Sequence, residues 1–566
     1  MTRRLLVVAA ALAAVVLAAP AAASAHAQLE GVAPARGEVV ERQPAHVEFR
    51  FDEPVEGRFG SVRVFDAAGD RVDAGDAFHP GDARERIAVG LRPSLPDGTY
   101  TATYRVLSTD GHVVSGGSTF SIGEASGAGA TVAELLEGTD AGPVTQVALG
   151  VGKGVVFAAI AALVGGLGFL LWSWPPAAAA TTPGPAATAA FRRRVRALLV
   201  GAGAAGALGA AAVVVLEGAV AAGVSGWDAL DPDIVSETLG TRVGLVWGAS
   251  VAVWLAAAAL AAAGPLVAPL AAAAVALALV PGLGGHAASQ DPTWLLLPAN
   301  ALHVAAMGLW AGGLLVLLAA LPAATRSLDP DRRAPLLAAA LTRFSPLALA
   351  AVAVLTVAGV VQAVVEVRTL AHLLDTAFGR AVLVKTVLLG ALVGIGAWHR
   401  RASLPRLQAI AAARERPAAA GIAVRRALRA EVVLIVAVLG VTAALSSYPP
   451  STARTAGPVS ETTTVGPAQL QVTVDPATVG ANEIHLYLLN PTDGSQWDEA
   501  EEVRLRAVQP ERDIGPIDVE LSKAGPGHYV TTAGALLGVP GDWTLDVAVR
   551  VSDFDQYEQR IEVPIA

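Results

Sequence analysis

The sequence predicts a multi-domain membrane protein: an N-terminal antiparallel β-sandwich or barrel, an eight-helix transmembrane α bundle and a C-terminal immunoglobulin-like β-sandwich. Three observations carry this. A hydrophobic share of 54% over 566 residues, with mean hydropathy +0.53, places much of the chain in lipid. Apolar and polar residues alternate in short runs at both ends but not in the middle. Arginines between the apolar stretches gather in the loops after the first, fifth and seventh, as in a chain threaded back and forth through a bilayer.

Taken in order, residues 1–25 read as a secretory signal peptide. Arg3 and Arg4 precede an apolar run from Leu5 to Leu17, and Ala23-Ser24-Ala25 supplies a small-residue cleavage site. Residues 26–123 hold runs such as Val47-Glu-Phe-Arg-Phe51, Ser61-Val-Arg-Val-Phe65 and Thr99–Val106, separated by the turn signals Ala68-Gly69-Asp70 and Pro96-Asp97-Gly98. A Gly/Ala/Glu-rich linker, 124–142, follows. The membrane part, 143–447, contains eight apolar stretches, with cores near 144–172, 197–224, 243–263, 266–285, 294–321, 345–365, 381–398 and 430–446. Each is long enough, or nearly so, to cross a hydrocarbon layer of about 30 Å. A second linker, 448–461, leads to 462–566, where strands such as Leu470–Val474, Ile484–Leu489 and Trp543–Val551 return to β patterning.

The loops after the first, fifth and seventh stretches carry Arg192–Arg196, then Arg326, Arg332, Arg333 and Arg343, then Arg400, Arg401, Arg406, Arg414, Arg416, Arg425 and Arg426. The loop between the second and third carries Asp228, Asp231, Asp233 and Glu237 instead. The expected location is therefore the cell membrane, multi-pass, with both β domains extracytoplasmic. The chain has no cysteine, so thiolate chemistry and disulfides are excluded. A net charge of −9 with loop-confined arginines gives no support to nucleic-acid binding. No Gly-x-x-x-x-Gly-Lys-Ser/Thr loop occurs, so no nucleotide motif supplies energy.

Cleavage after Ala25 leaves His26 with a free α-amine, and amine plus ring Nδ1 can close a chelate on a metal. Copper(II) prefers tetragonal sites of N and O donors, and Asp110 and His112 offer one of each. In an extended strand residues i and i+2 share a face, so the two point together, Gly111 giving latitude between them. The expected Cu(II) site is His26, Asp110 and His112. His46 and His79 lie outside the pattern and read as surface residues. The domain has no methionine, which argues against a Cu(I) site there.

Polar side chains at bilayer depth are costly and are functional candidates by default. Glu217, His286, Asn300, His303, Met307, Gln362, Glu366 and Lys385 all fall in the outer half of the predicted bundle. Asn300, His303 and Met307 are spaced to share one helical face; a thioether beside an imidazole is a candidate Cu(I) donor pair. Asn300 and Gln362 read better as helix-to-helix hydrogen bonds. His286, His303, Met307 and Glu366 form the expected membrane copper path, with Glu366 and Lys385 either coupling protons or locking two helices. His485 and His528 read as isolated histidines, structural or solvated.

The segments His26–Gly37, Val47–Val55 and Tyr104–Gly117 resemble the CopC family of periplasmic copper-binding proteins, which implies a cupredoxin-like β fold and Cu(II) ligation by His26, Asp110 and His112. Gly285-His-Ala287, Asn300–Gly313, Arg343-Phe-Ser345, Gly379–Thr386 and Arg429-Ala-Glu431 resemble the CopD family of inner-membrane copper-resistance and uptake proteins. The order of parts is similar to YcnJ-type CopC-CopD fusions that import copper. What the resemblance implies is a copper-binding membrane protein, not an enzyme, that captures Cu(II) outside the membrane and mediates import, with copper ions and the bilayer as partners and an extracytoplasmic copper donor or reductase as a further one. Two other functions remain open at this point: sequestration of copper for resistance, and a membrane redox protein using copper or haem. A bis-histidyl haem needs two well-buried histidines on facing helices, and only His303 is clearly inside an apolar stretch.

Overall fold

The computed structural model describes residues 27, 29–35, 37–57, 61–109, 111–123, 132–136, 141–264, 267–290, 292–367, 372–375, 377–413, 418–445, 459–475, 477, 479–491, 496–531 and 535–565. The signal-peptide reading and the whole of 1–25 lie outside them. The chain divides into two compact units, one of helices and one that holds both β domains.

In the N-terminal domain the strands are β1 (Leu29–Ala33), β2 (Val39–Val40), β3 (His46–Phe51), β4 (Val55–Glu56), β5 (Val62–Phe65), β6 (Arg86–Gly90), β7 (Gly98–Ser108) and β8 (Val113–Ile122). They form a three-stranded sheet, β1-β3-β6, and a five-stranded sheet, β2-β8-β7-β4 with β5 also on β7. All pairings are antiparallel except β2 with β8. The period-two pattern decides which face is inside: Val47, Phe49 and Phe51 of β3 are buried, and Tyr104 of β7 meets Phe49 and Phe51 at ring distances of 4.9 and 5.2 Å. On the other face of β3, Glu48 is held by two bonds from Arg86 at 2.6 and 2.7 Å. Both expected turns form, Gly69 at φ +83° beneath an Asp66 carboxylate that accepts from Ala68 and Asp70. The stretch expected to be a linker contains one helical turn, Val132–Leu136, whose Val132 is buried beside Gly117.

The helical unit corrects the expected count of eight. Nine continuous helices of eight or more residues occur among the described residues: α1 (Gly142–Thr181), α2 (Pro185–Ala222), α3 (Pro232–Leu239), α4 (Arg242–Ala263), α5 (Val267–Leu283), α6 (Thr293–Arg326), α7 (Pro330–Val367), α8 (Phe378–Ala412) and α9 (Ala418–Leu445). The extra one is α3. At eight residues, or about 12 Å, it is too short to cross a bilayer. A search for long apolar runs therefore passes over it, although Asp231 caps its N-terminus by accepting from the Asp233 amide. Six helices, α1, α2, α4, α6, α7 and α8, are long and apolar enough to span, and α5 is shorter. Their outward faces are apolar too: Leu208, Leu245, Leu302, Val387 and Val433 are exposed, the mark of helices that meet lipid rather than water.

Small residues let these helices approach closely. A Cβ on Gly165 of α1 would collide with the Gly312 backbone of α6, and a Cβ on Gly206 of α2 would collide with the fully buried Trp254 ring of α4. Two wide turns interrupt the helices, Phe169–Ser173 in α1 and His399–Ser403 in α8. Both precede a proline, Pro175 and Pro405, whose missing N–H breaks the regular ladder and leaves room for an i+5 bond.

The C-terminal domain is a second sandwich, its first strand beginning at Val459. The strands are β9 (Val459–Val465), β10 (Ala468–Asp475), β11 (Gly480–Leu489), β12 (Glu502–Gln509), β13 (Ile514–Val519), β14 (Leu521–Gly525), β15 (His528–Thr531), β16 (Ala535–Leu537), β17 (Gly541–Arg550) and β18 (Gln556–Ile565). Sheets of order β14-β15-β11-β10-β9, with β16 also on β11, and β13-β12-β17-β18 enclose a core that includes Leu470, Leu486, Trp543 and Val547. Trp543 donates its indole N–H to the Val539 carbonyl at 2.9 Å.

Candidate metal-handling sites

The expected Cu(II) site lies at the end of the β7–β8 hairpin. His26 and Asp110 are outside the described residues, so only His112 can be placed. The backbone around it corrects one expectation. Gly111 and His112 do not continue the strand: the Ser108 amide donates to the His112 carbonyl at 2.9 Å and the Gly111 amide to the Ser108 carbonyl at 3.0 Å. Gly111 sits at φ +91°. The physical reason is the Asp-Gly pair itself, which favours a tight reversal over continued strand. Ala27 is buried in the core of the same domain, which anchors the chain one residue after position 26.

A carboxylate that the sequence reading did not single out stands at this hairpin. Glu53 accepts from the hydroxyls of Ser108 and Thr109, the latter at 2.9 Å. Its signal was present in Phe51-Asp-Glu-Pro54, but one acidic residue in a loop is not distinctive without its neighbours. His79 donates through Nδ1 to the Arg86 carbonyl, 2.6 Å away, so the ring there is protonated on Nδ1. His46 is half exposed beside Glu48.

Within the helical unit, Asn300 of α6 donates to Gln362 of α7 at 3.1 Å, the helix-to-helix bond the sequence suggested. His303 meets the Leu355 carbonyl through Nδ1 at 3.1 Å, and its ring packs over Gly359. A carbonyl can only accept, so Nδ1 carries the proton and Nε2 keeps the lone pair a metal needs. Lys385 of α8 is near enough for its charge to act on both His303 and Glu366, which brings three helices to one polar locus. Met307 packs against the apolar core, consistent with space filling. His286 sits on a separate short turn, His286–Ala288, between α5 and α6. Among the described residues no three His, Cys, Asp or Glu side chains stand close enough to share an ion. His286, His303 and Glu366 therefore do not form such a group of three among the described residues.

Several polar groups emerge only in three dimensions. Lys153 of α1 pairs with Glu217 of α2 at 2.9 Å with both side chains about nine-tenths buried; the depth rule that flagged Glu217 applies equally to Lys153. Gln290 is fully buried, and both its amide atoms lack a hydrogen-bond partner among the described residues, as does the Asn300 carbonyl oxygen. In the C-terminal domain His485 and His528 are not isolated. Their rings approach at 2.9 Å, Nδ1 to Nε2, and Glu483 lies 3.3 Å from the other nitrogen of His485. The register explains it: Tyr487 is paired with His528 across β11 and β15, which sets His485 diagonally next to it, a pairing 43 residues apart in sequence. Burial, and then the neighbouring His485, pushes the His528 imidazole down to about 3.

Comparison with known proteins places three stretches in described families. Residues 29–123 match the CopC domain, 144–295 the copper resistance protein D-like N-terminal domain, and 338–445 copper resistance protein D. Copper transport protein CutJ of Bacillus subtilis is 30% identical over 393 residues, covering 67% of this chain and 68% of that protein. Protein YobA of Escherichia coli is 32% identical over 98 residues, covering 17% of this chain and 79% of its own. Among solved structures, CopC from Methylosinus trichosporium OB3b is 31% identical over 17% of this chain and 93% of its own, with TM-score 0.16. PcoC, a methionine-rich copper resistance protein from Escherichia coli, is 24% identical over 17% of this chain and 98% of its own, again with TM-score 0.16.

Proposed function

Because the chain belongs to the family of CutJ, with a CopC domain and copper resistance protein D domains fused in one polypeptide, we propose that it captures Cu(II) outside the cell membrane and carries copper inward. The observation that carries this reading is the joining, in one chain, of a copper-binding type of β domain to helices able to span a bilayer. Capture falls to the α-amine and Nδ1 of His26, a ring nitrogen of His112 and the Asp110 carboxylate, a donor set of nitrogen and oxygen suited to Cu(II). The turn at Gly111 leaves this site at the tip of a hairpin, where a carried ion can be given up as well as held.

Passage through the helical unit would use His286, His303 and Glu366 in turn. His303 is the best-defined of these, since its Nδ1 bond leaves Nε2 free to ligate. Met307 offers a soft sulfur four residues further along the same face, one helical turn from His303. Glu366, beside Lys385, would supply the compensating negative charge as a cation moves past. Under this reading both β domains are extracytoplasmic, as the arginine distribution of the loops supports. A copper donor or a reductase would serve at that outer face.

Cellular copper, measured with and without the protein at limiting external copper, tests the reading. Import requires lower copper in cells that lack the protein. Higher copper and greater copper sensitivity on deletion would instead establish sequestration or export.

A further inference from the structure

The arginine-rich end of the helical unit holds a pair of ligand-type side chains that neither the capture site nor the outer path includes. His399 opens the wide turn His399–Ser403 of α8, and Glu431 lies on α9, which packs against it. The glutamate is 3% exposed and the histidine side chain 16%. His399 Nε2 and Glu431 Oε2 face each other at 3.9 Å, and both atoms lack a hydrogen-bond partner among the described residues. Arg400, Arg401, Arg406, Arg426 and Arg429 surround this end but are exposed, and no ion pair joins any of them to Glu431 among the described residues.

A carboxylate oxygen this deeply buried without a partner costs several kcal/mol, and such groups call for an ion or another ligand to satisfy them. The separation is too long for a hydrogen bond. It is within the span of two donors bonded to a common metal at about 2.0–2.2 Å each, the bond lengths imidazole and carboxylate make with zinc, at an angle wider than tetrahedral. The wide turn contributes by redirecting the helix at the ligand itself: the Leu404 amide bonds to the His399 carbonyl five residues back, a distortion found often at functional sites.

We propose that His399 and Glu431 form a metal-binding site at the arginine-rich end of the helices, opposite to the end that holds His286, taking a first-row transition-metal cation, copper under the transport reading on which this rests. With two protein donors the site binds more weakly than a closed four-ligand centre, as an exit position requires. The remaining coordination positions go to water or to the next acceptor.

The test counts copper bound per chain by the purified full-length protein after equilibrium dialysis against copper. Glu431→Gln, which keeps the shape of the side chain, and His399→Phe are each expected to bind one copper fewer than the wild type. His399→Cys, which restores a donor, is expected to regain it. His112→Ala should lose a different copper, additive with either. An unchanged count in Glu431→Gln and His399→Phe overturns the site, as does a His399→Cys count equal to that of His399→Phe; a bridging water in place of a metal gives the first of these results. Copper uptake by the wild type in proteoliposomes is scored separately. A chain that shows the one-copper difference but no uptake keeps this site and loses the transport reading.

Discussion

The histidines differ in what their ring nitrogens meet. His303 has one nitrogen fixed by a carbonyl and the other keeping its lone pair, whereas His528 shares its nitrogen with another imidazole and stays neutral. Since the His528 pKa lies below the ordinary value of 6.5, the folded domain binds fewer protons than the unfolded chain between about 3 and 6.5. The stability contributed is complete above 6.5 and is lost as pH falls toward 3, at no more than about 1.4 kcal/mol per pH unit. Opening free energies from hydrogen exchange at Tyr529 and Val530 in the full chain should therefore fall on acidification, and His528→Asn should flatten that dependence. At the capture site, His112→Ala should weaken Cu(II) binding at least tenfold, and one residue added before His26 should abolish tight binding by removing the α-amine chelate. Binding by the unaltered chain should weaken below about pH 7, because an amine of pKa about 7.7–8.0 and two imidazoles must release protons to the metal's advantage. A Cu(II) titration that shows an extended N-terminus binding equally well rules out the amine.

At the scale of elements, helix contacts here depend on absent side chains. α1 and α6 meet where Gly165 faces Gly312, with the Ala161 carbonyl against the position a Gly312 Cβ would take. Bulk cannot be absorbed there, since the obstructing atoms are backbone. Gly312→Leu should separate the helices and lower stability by about 3 kcal/mol or more, beyond the usual range for overpacking, read as a lower unfolding temperature in detergent. Gly390 of α8 has open space at its Cβ position, so Gly390→Ala serves as a control that should leave the temperature unchanged or raise it. The Lys153–Glu217 bridge between α1 and α2 adds a directional contact where apolar packing alone has no preference. In the β domains the equivalent information is register: pairing Val106 with Val114 places the hairpin tip at 108–112.

For the whole molecule, the proposed function puts both β domains on the outer side of the membrane, the side opposite the arginine-rich loops. The absence of cysteine makes this directly testable. Single cysteines placed at Asp70 or at Glu501, both on exposed turns or strand edges, should react with a membrane-impermeant maleimide added to intact cells. A cysteine at Arg193, in the first arginine cluster, should react only after the cells are opened. Labelling of position 193 in intact cells would invert the topology and with it the direction of copper transfer.

Composition and periodicity determined the three-part architecture, the two sandwiches and the presence of long apolar helices between them, though not the helix count, because burial in protein or lipid is governed by patterns only a few residues in length. They also marked His112 and His303 by residue type. They did not reveal α3, which is too short and too polar to register as apolar, or the reversal at Gly111, where a strand reading competed with turn chemistry. The tertiary structure alone decided the pairing of His485 with His528, of Lys153 with Glu217 and of His399 with Glu431. Each joins residues at least 32 positions apart, and such meetings depend on strand register and on the rotation of one helix against another, quantities that no local pattern encodes.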